Sequence, residues 1–233
     1  MKIGKAHSIS KADIEKKKFN ILVPICVGNR FFLDGTTPTE NINKYINWSL
    51  GHTKEKVLII IVDEIQISNW VVRNSNSSRG ANMRRLMRRG EIIEKNILNI
   101  IKKLPKSSQE KIKVVRWREY YENDTFCKKV TEMIYSEFKT NNEFKEKVLE
   151  IIKRSITDRA FDERSYITLC KYVLDEFSLV YHGVNLEGIW YGLFIYPETD
   201  EVSDLIEDIK TKKNFPELSN KLDKQKIAVV FLR

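Results

Sequence analysis

Cys26 closes the apolar run "NILVPIC" and is followed at once by Val27, Gly28 and Asn29. A thiol at the carboxyl end of a strand can point into a cleft. Backbone N–H groups there, such as those of Val27 and Gly28, favour a thiolate or hold an oxyanion. A buried cysteine more often packs as a small hydrophobe, and no histidine stands near Cys26 in the chain. A nucleophilic role therefore needs partners from elsewhere. Tyr172 and Glu176, four residues apart in "YVLDE", share a helix face. Tyr196 ends the run "GLFIY" just before Pro197, where a phenol can enter the same cleft or pack in its rim. Cys127 and Cys170 fall inside helical patterns and read as packing residues.

A second pattern concerns charge. Arg84, Arg85, Arg88, Arg89, Lys95, Lys102 and Lys103 recur along one helical stretch, from about Ala81 to Leu104. At roughly 100° per residue, Arg84, Arg88, Lys95 and Lys102 fall within about 40° of one another, with Arg85, Arg89 and Lys103 alongside. Met83, Leu86, Met87, Ile93, Ile97, Leu98 and Ile101 take the other side. The acids there are few, Glu91 and Glu94, whereas an ordinary solvated face mixes its signs. The stripe suits a nucleic-acid backbone, and Gly90 is where the helix could break.

These residues need a scaffold, and the hydrophobic pattern supplies one. "KFNILVPIC", "KVLIIIVDE", "KIKVVRWREY", "GIWYGLFIY" and "KQKIAVVFL" read as five strands. Thr39 is placed to cap a helix from Glu40 to near Gly51. Three amphipathic helices fill the stretch between the third and fourth strands. Residues 1–18 are polar, frayed or helical. The alternation implies an α/β class: one Rossmann-like domain spanning 1–233, with a mostly parallel five-stranded sheet flanked by helices. Such sheets bind ligands beyond the carboxyl ends of their strands, where Cys26 stands.

The 233 residues, 42% hydrophobic, can bury a sizeable core, and no apolar run is long enough to span a membrane. No signal-like segment opens the chain, and three scattered cysteines suggest no disulfide framework, so a cytoplasmic setting is expected. Three scattered histidines make a metal site unexpected. A net charge of +9 favours a polyanionic partner. There is no GxxxxGK[ST], GxGxxG, HIGH or KMSKS, so neither ATP nor NAD is expected and no cofactor is implied.

Taken together and in order, these features resemble the cyclodipeptide synthases. That family is similar to the catalytic domain of class I tyrosyl- and tryptophanyl-tRNA synthetases. Its first strand ends in a nucleophilic Ser, two variable positions, then often Asn and an aromatic pair. "VPICVGNRFF" matches, with Cys26 as nucleophile, Asn29 as the amide and Phe31-Phe32 as the aromatics. The resemblance implies an ATP-independent, monomeric aminoacyltransferase of secondary metabolism. It would take two aminoacyl-tRNAs by a ping-pong route, through an aminoacyl-enzyme, to a diketopiperazine. Tyr172 and Glu176 would hold the substrate ammonium, Tyr196 would relay a proton and Asn29 would orient groups in the cleft. Val23, Pro24 and Gly28, with residues near Trp190, are candidates for lining the amino-acid pocket, and the basic helix would bind tRNA. The chain departs from the family in having Cys26 for Ser and Pro24 for Gly, and in combining Asn29 with Pro197. Two further readings stand beside it: an aminoacyl-tRNA-dependent transferase to another acceptor, and a tRNA-binding protein that has lost catalysis.

Overall fold

A computed structural model describes residues 1–28, 38–74, 76–155, 160–197, 201–222 and 228–232. The β-branched runs pair in parallel as β2 (Asn20–Cys26) and β3 (Val57–Val62), with Cys26 opposite Val62. β3 is buried along its whole length, the signature of a strand covered on both faces. β4 (Ile112–Arg116) joins β3 in parallel. On the other side of β2 lie β6 (Ile189–Tyr196) and then β7 (Ala228–Leu232), also parallel. These are the five strands expected from the pattern.

Two short antiparallel strands make the sheet seven-stranded. β5 (Val184–Leu186) forms a hairpin with β6 through Glu187 and Gly188, both at positive φ. β1 (Ile3–His7) pairs with β7, so the amino-terminal segment, expected to be frayed or helical, begins as a strand and is helical only at Lys11–Glu15. Its polar sequence carries no period-2 signal, and only pairing with β7 makes it extended. The order is β1-β7-β6-β2-β3-β4.

The described helices are α1 (Lys11–Glu15), α2 (Pro38–His52), α3 (Ile67–Arg73), α4 (Arg79–Ile101), α5 (Lys106–Gln109), α6 (Trp117–Asn123), α7 (Thr125–Thr140), α8 (Asn142–Ser155), α9 (Glu163–His182), α10 (Glu201–Lys210) and α11 (Pro216–Lys221). None of them is long and apolar enough to cross a membrane. α2 and α4 cover one sheet face, where Ile46, Leu86 and Ile97 meet Ile21, Val23 and Ile25. The other face carries α7, α8 and α9, where Ile134, Phe144 and Phe177 meet Leu22, Cys26 and Ile60.

The chain passes from β2 to β3 and β4 on one side, then returns to β6 on the other. That reversal opens a crevice at the carboxyl ends of β2 and β6. Cys26 and Tyr196 are the last residues of those two strands.

Gly90 does not break α4. It is buried in mid-helix, above an ion pair between Asp63, after β3, and Arg116, at the end of β4. A Cβ at position 90 would lie 2.6 Å from Asp63 Oδ2 and 2.7 Å from an Arg116 nitrogen. The glycine costs helix propensity but lets α4 lie flat on the pair. Arg116 also donates to the Met87 carbonyl (3.1 Å), tying α4 to the strand ends.

Candidate active site

Period-2 alternation turns Cys26 toward the α9 side of the sheet, with Leu22. α9 begins on an Asp162 cap and lays Val173, Leu174 and Phe177 on the sheet, which brings Tyr172 and Glu176 over the end of β2. The Tyr172 hydroxyl stands 3.8 Å from Cys26 Sγ and donates a hydrogen bond to Glu176. Burial, then the negative charge available at Cys26, Glu176 and Tyr196, pushes the Tyr172 hydroxyl well above the usual phenol range. It therefore stays protonated, with its hydrogen on the carboxylate and its oxygen beside the sulfur. Glu176 is itself buried. Tyr196 is half-buried, with its ring 6.0 Å from that of Phe194. Cys26, Tyr172, Glu176 and Tyr196 are thus brought together from β2, α9 and β6.

A fifth member has no counterpart in the sequence reading. Gln66 ends the 3-10 turn after β3, is 3% exposed, and directs Nε2 onto Cys26 Sγ at 2.6 Å. Asn69 Nδ2 donates to its Oε1 (2.9 Å). Gly28 sits against the same amide: a Cβ there would lie 2.9 Å from Gln66 Oε1 and 3.8 Å from Cys26 Sγ. The available signal was position alone, since β3 is the parallel neighbour of β2 and its end must border the same crevice.

Other candidates are placed differently. Pro24 is buried and has the strand parity of Cys26. Val23 has the opposite parity and packs, fully buried, in the α2–α4 layer, so the structure does not bring it to the crevice. Trp190 lies near the start of β6, about 20 Å along the strand from Tyr196. Its indole donates to the His182 carbonyl at that far end. Asn29, Phe31 and Phe32 lie outside the described residues. All three thiols are buried and unbridged, but burial pushes Cys127 up and Cys170 up to about 12, which leaves both inert.

Arg84, Arg85, Arg88, Lys95, Lys102 and Lys103 are exposed, and Arg89 is half-buried with its guanidinium 5.8 Å from the Trp70 ring centre. Arg85 donates to Ser77 Oγ (3.3 Å). Glu91 stands exposed within the stripe, between Arg88 and Lys95, and Glu94 at its side reaches Arg116 (3.5 Å). None of the seven cations forms an ion pair among the described residues. From Arg84 to Lys102 they span about 27 Å. Because α4 leads from β3 back to β4, both parallel, its arginine-rich beginning lies at the crevice end of the sheet. Two surface grooves of about 690 and 370 Å³ lie elsewhere, along α8 and along α7 with α11. The side-chain cluster at the strand ends, and not a large groove, marks the site.

No protein-family model matches this chain, and no curated protein matches its sequence. Solved structures do. A cyclodipeptide synthase from Bacillus thermoamylovorans aligns with TM-score 0.74 at 15% identity, over 96% of this chain and 91% of that one. A CDPS from Fluoribacter dumoffii aligns with TM-score 0.71 at 16% identity, over 98% and 96%. A Mycobacterium tuberculosis protein aligns with TM-score 0.69 at 11% identity, over 84% and 80%. Its structure is described as demonstrating that cyclodipeptide synthetases are related to type I tRNA synthetases. The chain has the fold these proteins share.

Proposed function

We propose that this chain is a cyclodipeptide synthase that uses aminoacyl-tRNAs and carries its acyl intermediate on Cys26. The observation that carries the reading is the contact between Cys26 and Tyr172 at the strand-end crevice, with Glu176 and Tyr196 beside it. The likeness of the whole fold to solved cyclodipeptide synthases supports it.

The aminoacyl ester of a charged tRNA is already activated, so acyl transfer needs no ATP. Cys26 Sγ attacks the ester carbonyl; the sulfur–carbon bond forms, the ribose oxygen leaves with a proton, and a thioester remains. A thiol needs less help from a base than a hydroxyl, which suits a cluster without histidine. Glu176, hydrogen-bonded to Tyr172, holds the α-ammonium of the bound amino acid. The amine of the aminoacyl-enzyme attacks the ester of a second aminoacyl-tRNA, releasing that tRNA and leaving a dipeptidyl-enzyme. Its free amine then attacks the thioester, closes the six-membered ring and returns Cys26. Tyr196 passes the proton in these exchanges, and the α4 stripe holds tRNA phosphates.

The test is expression in a bacterium with mass spectrometry of the medium. A cyclic dipeptide, lighter by two waters than its amino acids, is the expected product, and it must vanish with Cys26→Ala. A linear aminoacylated acceptor in its place would identify a transferase instead.

A further inference from the structure

The geometry points to Gln66 as a positioning residue that holds Cys26 as a thiolate-ready nucleophile through a hydrogen bond from Nε2 to Sγ. Three observations fix the direction of that bond. Asn69 donates to Gln66 Oε1, so the other end of the amide, a donor, faces the sulfur. Gln66 is almost fully buried, so its amide has no solvent to turn toward. Gly28, without a side chain, leaves the space that Oε1 occupies.

A neutral amide donor binds a thiolate more strongly than a thiol, because the bond becomes charge-assisted. The other groups facing the sulfur act differently. Tyr172 on α9 lies 3.8 Å from Sγ with its one hydroxyl hydrogen given to Glu176, whereas Glu176 on α9 and Tyr196 on β6 bring negative charge or neutral phenol. Asp63 and Glu64, beside Gln66 in sequence, are each matched by an arginine, Arg116 and Arg118. Among the described residues, Gln66 is a buried amide that directs its donor onto Sγ. The same bond keeps the sulfur aimed along a single direction.

The catalytic consequence rests on the reading of Cys26 as nucleophile, but the test does not. Thiolate absorbance is followed against pH from about 6 to about 9 and referenced to Cys26→Ala; Cys127 and Cys170 stay protonated over this range. Gln66→Met, which keeps the volume and loses the donor, is expected to raise the midpoint by about one unit. Gln66→Glu, which keeps the shape and the Asn69 bond, should raise it further, and Asn69→Ala by less. Circular dichroism identifies the folded variants, and any one of the three suffices. An unchanged or lowered midpoint in a folded variant overturns the inference. A raised midpoint in a protein that makes no cyclic dipeptide would uphold Gln66 while removing the proposed activity.

Discussion

Cys26 Sγ and the Tyr172 hydroxyl lie 3.8 Å apart although 146 residues separate them in the chain. The contact exists because β2 ends at the crevice and α9 crosses above it, carrying Glu176 one turn further along the same face. Thiol, phenol and carboxylate are thereby held without any loop between them.

Labelled aminoacyl-tRNA should leave an adduct on the protein that is absent from Cys26→Ala. The adduct should be a thioester, cleaved by neutral hydroxylamine. Cys26→Ser should carry an ester that survives this treatment, and intact-protein mass spectrometry distinguishes the two. An adduct persisting on Cys26→Ala would remove Cys26 from the mechanism.

Tyr172→Phe keeps the ring and deletes the hydroxyl shared by Cys26 and Glu176. A loss of about a hundredfold in kcat is expected, with a smaller change in KM. Because the Tyr172 hydroxyl is pushed far up, the wild-type pH–rate profile should show no limb from its ionisation below about pH 10. Equal rates for the two proteins would show the contact to be packing alone.

Charge reversal at Arg84, Arg88 and Lys95 should weaken tRNA binding. It should also flatten the dependence of log affinity on log salt by about 0.7–0.9 for each phosphate no longer neutralised. These side chains are exposed and unpaired among the described residues, so the melting temperature should hardly move. Filter binding across a salt series tests this, and an unchanged slope would place the tRNA elsewhere.

Asp175 offers a pH test of stability. Its carboxyl is pushed up to about 6, chiefly by burial, although the Tyr135 hydroxyl donates to it at 2.8 Å and lowers it in part. A carboxyl raised in the folded state binds its proton more tightly there than when unfolded. Its contribution is full below about pH 4 and is lost as pH rises through about 6. Asp175→Asn should therefore melt higher than wild type at neutral pH and converge with it near pH 4. Parallel melting curves across that range would contradict the shift.

Arg116→Met should cost about 3–5 kcal/mol in a denaturant melt, because it leaves the fully buried Asp63 without its cation. Gly90→Ala should cost less, about 1–3 kcal/mol, as the added methyl group pushes the pair apart and outweighs the gain in helix propensity. Were Gly90→Ala stabilising, α4 would not be seated on the pair as described.

Much of this was written locally. β2, β3 and β6 follow from apolar, β-branched runs, and α4 and α9 from 3.6-residue periodicity, because backbone preference and one-sided burial act over a few residues. The shared face of Tyr172 and Glu176 and the cationic stripe are helical spacing alone. The tertiary structure decided the rest. Val23 and Pro24 are adjacent in sequence, yet only Pro24 has the parity of Cys26, because which face receives α9 depends on the path of the whole chain. Gly90 reads as a helix breaker until Asp63 and Arg116 are seen beneath it. Gln66 carries no signal of its own; a carboxamide becomes part of the site only when β3 lies beside β2 and Gly28 leaves it room. Periodicity encodes what faces inward, and long-range packing decides which inward-facing groups meet.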